Sequence, residues 1–374
     1  MRIVIFGLTI SSLWGNGHAM PWRGLCKALA RAGHRIVYFE QDVPYYSSTR
    51  DLQALPDGEL VLYDTWRLVA NRAERELRDA DAAIVTSCCP DALRATDAIL
   101  AAARPLAVFY DLDTPVTLSR LREGESVPYI GDRGLQDFDL VLSYTGGAAL
   151  EGLRSLGAHR VRPLYGHVDP EVHGPMPGVE RFGCDVSWLG AYSADRQAAL
   201  EEVFATAARR RRRRSFLIGG NQYPAGFPWP KNVRFVHPVA PDEHAAFYCS
   251  SRITLNLTRA SMACMGWCPT TRLFEAAACG AAVLSDEWSG LDEFYAPGSE
   301  VLVARSATDT LDALALDDAT LNRIRRAARE RTLEEHTSDQ RARTLVGYLE
   351  ERRRPSNSSL RGAGLGRSID TART

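Results

Sequence analysis

Lysine is almost missing from this chain: of its 45 basic residues, all but Lys27 and Lys231 are arginine, a skew that reads as genome composition. Neither sign of charge is in excess, since 46 acidic residues leave a formal net charge of -1. That balance excludes the bulk electrostatic footprint of a nucleic-acid-binding protein. No apolar run approaches the roughly 18 residues of a membrane-crossing helix, so the partners expected exclude a transmembrane anchor but leave peripheral membrane contact open. The opening MRIVIFG lacks the long apolar core and cleavage site of a secretory leader, which places the chain in the cytoplasm. Gly (29) and Pro (19) are too few among 374 residues for a collagen-like or linker-dominated chain. The eight cysteines include no second pair at zinc-ribbon spacing, and most sit in apolar stretches as small buried hydrophobes, so no metal site is expected. The dinucleotide fingerprint GxGxxG is absent too.

What is present is an ordinary globular composition, 45% hydrophobic and 24% charged, long enough for two domains. Apolar runs at 2–7, 35–42, 82–87, 105–111 and 140–146 read as buried strands. They alternate with stretches of helical period at 22–33, 72–78 and 91–102. Such alternation implies βαβ units and a parallel sheet covered on both faces. The pattern breaks at 166–182, rich in Pro and Gly, and restarts with strands at 184–191, 215–220, 233–239, 253–258, 281–286 and 300–304. Residues 319–353 read as helical. The expected fold class is therefore α/β, with two doubly wound, Rossmann-like domains and a cleft between them. The boundaries expected are an N-terminal, acceptor-side domain over 1–168, a linker over 169–182 and a nucleotide-binding domain over 183–335. A helix over 336–353 and a disordered tail over 354–374 complete the chain.

Ligands of such sheets bind at the carboxyl ends of the strands, so the residues just after each strand carry the information. In the first connection, Gly15 and Gly17 permit close backbone approach to a ligand, and the helix beginning near Ala19–Pro21 offers free N–H groups to a phosphate. His18 in that loop is either a base for an acceptor hydroxyl or a residue that caps the turn. Asp111 and Asp113 follow a strand directly. As a D-x-D pair they can hold a divalent ion; Asp111 can instead orient His18 or an acceptor hydroxyl, and Asp113 can cap the helix starting at Thr114–Pro115. Thr145 and Gly146 end another strand and either line the acceptor side or simply turn the chain.

In the second half, Gly190, Arg196, Gly220 and Asn221 follow strands and are candidates for the donor. The densest segment is 256–304. There Asn256 and Arg259 end a strand, and a helix starts at Thr270–Thr271 with a hydroxyl cap able to receive an anion. Arg272 in its first turn adds a fork of donors suited to phosphate, and Glu275, three residues on, can accept bonds from two ribose hydroxyls. The alternative is a capped core helix with an Arg–Glu pair. Arg209–Arg214 is a solvated helix end or a basic patch for lipid or nucleic acid.

The stretch PTTRLFEAAACGAAVLSDEWSGLDEFY, followed by PGSEVLVA, resembles the glycosyltransferase domain of spore-maturation CgeB-like proteins. WGNGHAMPWRGLCKALARAGHRIVYFEQDVPYY and FYDLDTPVTLSRL resemble the N-terminal segments of bacterial members. The resemblance implies a GT-B glycosyltransferase that takes a nucleoside-diphosphate sugar, with no tightly bound cofactor and no metal, and gives the sugar to a glycan, lipid, protein or metabolite. It also implies that Glu275 holds the donor ribose. Retaining relatives carry a second glutamate eight positions earlier, where this chain has Trp267. Gly17-His18 with Pro21 is similar instead to the start of some inverting enzymes, whose histidine is the base. Two other functions fit the same scaffold, a nucleotide-sugar epimerase and a non-catalytic nucleotide- or sugar-binding protein.

Overall fold

A computed structural model describes residues 1–353 apart from Asp57 and Ala225. The tail expected over 354–374 lies outside the described residues. Two all-parallel sheets form the chain. The first holds β1 (Arg2–Gly7), β2 (Arg35–Gln41), β3 (Glu59–Tyr63), β4 (Ala82–Thr86), β5 (Leu106–Asp111), β6 (Leu140–Ser143) and β7 (Val161–Pro163), in the order β3-β2-β1-β4-β5-β6-β7. The second holds β8 (Cys184–Leu189), β9 (Phe216–Gly219), β10 (Val233–Val236), β11 (Ser251–Asn256), β12 (Val283–Ser285) and β13 (Leu302–Val303), in the order β10-β9-β8-β11-β12-β13. In both, the order reverses beside the first strand, which opens a crevice at the carboxyl ends of the central strands.

Each sheet is apolar on both faces because each is covered on both faces. Val4, Phe6, Val37, Phe39 and Phe109 point to one side of the first sheet, and Ile3, Ile5, Ile36, Tyr38 and Val108 to the other. In the second sheet Leu189, Leu217 and Val283 face the layer containing Phe247 and Phe274. Val186, Trp188, Ile218 and Leu255 face the one containing Phe204.

Strands β3 and β7 are additions to the sequence reading. Both are short and lie at or beside the sheet edges, where half-exposed residues blur the apolar signal. The helical stretch expected over 319–353 is two helices, Asp318–Glu335 and Ser338–Arg353, broken at His336–Thr337. The break has a local cause: Val168 bonds to both sides of it, its N–H donating to the His336 carbonyl (3.0 Å) and its carbonyl accepting from the Ser338 N–H (2.8 Å). The last helix then lies on the first lobe. Its Ala342, Leu345 and Leu349 are buried with Trp22, Leu25 and Leu29 of helix Ala19–Arg31. Among the described residues no helix is long and apolar enough to cross a membrane.

Candidate active site

The carboxyl ends of both sheets open into one cleft of about 660 Å³ between the lobes, a size that suits a nucleotide-sized ligand. Of the expected residues, Gly15, Gly17, His18 and Asp113 line it from the first lobe. Gly190, Arg196, Gly220, Asn221, Arg259, Thr270, Thr271, Arg272 and Glu275 line it from the second.

On the second lobe Trp188 lies behind the cleft wall, fully buried near the end of β8. Two guanidinium groups lie over its indole, Arg272 at 4.5 Å and Arg196 at 5.2 Å from a ring centroid. Each stacking is worth about 1 kcal/mol and fixes a long side chain before a ligand arrives. Arg196 is tied further by a bond to the Ala191 carbonyl (2.9 Å). Arg272 Nη1 is buried and has no partner among the described residues. Burial, followed by the charges of Arg272 and Arg259, pulls the Arg196 guanidinium down to about 10. Such crowding of like charge is a site waiting for an anion.

Helix Thr271–Ala278 aims its N-terminus into the same space. Thr270 caps it, accepting from the Leu273 N–H (3.3 Å). Asn256, expected on the donor, stands behind the cleft instead. It is buried, its carbonyl accepts from Thr270 Oγ1 (2.6 Å) and its amide donates to Ser285 Oγ (3.0 Å), so it is consumed in holding the cap. Thr271 shares a hydrogen bond with Tyr144 of the first lobe (2.6 Å). Glu275 is 7% exposed at the cleft wall, where Tyr248 donates to its Oε2 (3.2 Å) and His173 Nε2 stands 3.9 Å from its Oε1. Burial lowers the neighbouring His244 imidazole below its ordinary value.

Gly190 and Gly220 let two strand ends close on each other: a Cβ on Gly220 would sit 2.1 Å from the Gly190 carbonyl oxygen. Trp188, Tyr192, His173, His244 and Tyr248 are additions to the sequence reading. For Trp188 and Tyr192 the signal was available, an aromatic residue at the end of a strand in SWLGAY. For His173 there was none, because only folding carries the linker to Glu275.

On the first lobe the carboxylates exchange the parts the sequence suggested. Asp113 does not cap its helix with its side chain. Its Oδ2 bonds His18 Nε2 at 2.8 Å, and the Cys88 thiol lies 3.6 Å from the same oxygen. Burial alone would raise the Asp113 carboxyl, but the bond and charge of His18 bring it below the usual carboxylate range. Asp111 is fully buried and does not reach His18; its Oδ1 accepts the Asp113 N–H (2.9 Å). The two acids therefore serve different partners and make no paired D-x-D site. Three-donor groupings that a metal ion could use do occur, His18–Cys88–Asp113 and His173–His244–Glu275, each with ligand atoms within 4.8 Å of one another.

Burial, reinforced by the charge of Asp113, raises Asp111 to about 7. A carboxyl raised on folding costs stability as pH climbs from its unfolded value, near 4, through 7. Asp111→Asn removes that cost. Its melting temperature relative to the parent should rise between pH 5 and pH 8, by the equivalent of about 3 kcal/mol at most. A parallel offset at both pH values in thermal unfolding would disprove the buried neutral acid.

Two further expectations are corrected. Asn16 Oδ1 accepts the His18 N–H (3.0 Å) and Ala19 N–H (2.9 Å), so the first helix does not present a fully free N-terminus to phosphate. Thr145 and Gly146 do not line the cleft: Thr145 is buried, its N–H donating to Ser143 Oγ (3.2 Å) in its own lobe, and Gly146 meets the other lobe. The Gly146 N–H donates to the Trp267 carbonyl (2.8 Å), and a Cβ on Gly146 would stand 2.7 Å from that of Trp267. Trp267 thus packs between the lobes and is not part of the cleft wall.

Comparison with known proteins agrees with this geometry. Residues 196–347 match the family model described as glycosyl transferase-like. No curated protein matches the chain. Among solved structures, an alpha-glucosyltransferase in complex with UDP superimposes with a TM-score of 0.70 at 13% identity, covering 94% of this chain and 100% of that one. HepE from Anabaena in complex with UDP and glucose gives 0.64 at 12% identity, covering 94% and 100%. Sucrose-phosphate synthase from Thermosynechococcus elongatus gives 0.63 at 12% identity, covering 94% and 98%. The chain has the GT-B fold. Residues 196–347, most of the second lobe, are what the glycosyl transferase-like family model matches.

Proposed function

We propose that this chain is a GT-B transferase and moves a sugar from a nucleoside-diphosphate sugar to an acceptor hydroxyl. The observation that carries the reading is the guanidinium pair Arg196–Arg272 over Trp188, with Arg272 Nη1 unpartnered among the described residues, set at the N-terminus of helix Thr271–Ala278. Positive groups fixed there stabilise the charge that develops on a departing diphosphate without reorganising. Arg259, exposed at the rim, adds a third charge. Because guanidinium groups meet the diphosphate, transfer needs no divalent ion. Glu275 would take the ribose hydroxyls, and the strand ends at Gly190 and Gly220–Asn221 would admit the nucleoside. Structural neighbours holding UDP or UDP and glucose support a uridine nucleotide.

His18 is the base in this reading. With its Nε2–H donated to Asp113, the free pair lies on Nδ1, which is buried and has no partner among the described residues. Asp113 steadies the imidazolium that forms as the acceptor proton arrives. Among glycosyltransferases we place the chain with the CgeB-like group, on the strength of the segment 269–304.

Glu275→Ala should weaken binding of UDP about tenfold to a hundredfold, the equivalent of losing one or two hydrogen bonds to a charged acceptor. It should also reduce any preference for ribo- over deoxyribonucleotide. Calorimetric titration with UDP and dUDP measures both, and an unchanged dissociation constant would remove Glu275 from the donor site.

A further inference from the structure

Away from the cleft, the second lobe carries its densest charge at Arg209–Arg214. All six side chains are exposed. Arg214 pairs with Asp185 (2.9 Å), while Arg209 and Arg210 reach only the hydroxyls of Thr206 and Thr308. Arg211, Arg212 and Arg213 have no side-chain partner among the described residues. The run is nevertheless fixed. The Asn232 amide donates to the carbonyls of Ala208 (3.1 Å), Arg211 (3.2 Å) and Arg214 (2.9 Å). That clamp brings Lys231 and edge strand β10 alongside, with Arg234 and Phe235 both exposed.

Phe235 is 42% exposed. Its ring stands 5.5 Å from Tyr223, which lies 5.4 Å from Trp229, both edge-on, and His237 stacks on Phe235 at 6.3 Å. A strip of charge thus runs along the outer edge of the sheet into a small aromatic prominence. The far end of the same loop, Gly220–Gln222, lines the cleft.

We infer that this edge of the second lobe, Arg209–Arg214 with Lys231 and Phe235, docks the protein on an anionic bilayer surface. The pairing of clustered guanidiniums with a shallow aromatic tip matches the two layers of a membrane interface, phosphate headgroups outside and the start of the acyl region beneath. A nucleic acid fits less well. The rings pack against each other instead of offering open faces for bases.

Co-sedimentation of the full chain with vesicles tests this. Vesicles of equal parts phosphatidylglycerol and phosphatidylcholine should capture the protein at low salt and release it at high salt, whereas phosphatidylcholine alone should not capture it. R211Q/R212Q/R213Q should bind the anionic vesicles roughly a hundredfold more weakly. UDP affinity should be unchanged in that variant, which shows that it is folded. Phe235→Ser should weaken capture while leaving its salt dependence intact. Equal capture by both vesicle types, or undiminished capture of the triple variant, would overturn the assignment. So would tighter binding to a single-stranded or duplex oligonucleotide, followed by fluorescence anisotropy.

Discussion

Arg272→Ala is expected to weaken nucleoside-diphosphate binding by roughly a hundredfold, about 2–3 kcal/mol, while leaving the empty protein as stable as the parent or more so. The first half follows from the loss of a charge-assisted donor at a buried position that already holds its orientation over Trp188. The second follows from the surroundings. Without a ligand, Arg272 and Arg259 crowd Arg196, and its guanidinium sits lowered to about 10 by burial and then by those charges. Removing one charge relieves its neighbours. Thermal unfolding with and without UDP separates the two effects: the unliganded midpoint holds or climbs, and the nucleotide-induced gain shrinks. Arg272→Lys should recover only part of the affinity, because an ammonium keeps the charge but neither the fork nor the flat stacking surface. If Arg272→Ala bound UDP as tightly as the parent, the diphosphate would have to sit elsewhere.

The other large effect belongs to the first lobe. His18→Ala should lower kcat by about two to four orders of magnitude, the range of a lost general base, and leave the dissociation constant for the donor within about a factor of two. Asp113→Asn should lower kcat less, because it removes the partner that orients and charges the ring but not the ring itself. Its carboxyl is already held below the ordinary range by His18, so it stays ionised across the working pH. Single-turnover rates set against donor titrations make the split visible. A His18→Ala enzyme with full kcat would end its role as base.

Much of this architecture was legible from the residues. Unbroken apolar runs such as RIVIFG and LAVFYD occur because central parallel strands are buried on both faces, and β1 and β5 are such strands. Strands β3 and β7 were not legible, since peripheral position leaves some of their residues half-exposed. In the site, Arg272 and Glu275 could be read from one another because both lie on a single helix, where spacing fixes the face. Asp111 and Asp113 could not. They sit where a strand ends and the chain turns, so spacing does not say which carboxyl looks inward, and the fold buries the first and hands the second to His18. Asn256 was not legible for a related reason. A polar residue at a strand end serves a ligand or a neighbouring cap equally well until the packing is known.

Main-chain hydrogen bonds join the lobes at two separate places, and the Tyr144–Thr271 side-chain bond adds a third contact at the cleft. One main-chain join is the paired crossing of the chain at Val168 and His336; the other is the stitch from Gly146 and Ala148 to Trp267 and Met265. A body pinned at two points keeps a single rotation, about the line through the pins. Opening of the mouth by that rotation must break the Tyr144–Thr271 bond, and it is expected to carry the cleft residues of one lobe along arcs about that line. A bulky side chain in place of Gly147, whose Cβ would lie 2.2 Å from the Met265 carbonyl oxygen, shifts one pin and so tilts the axis itself.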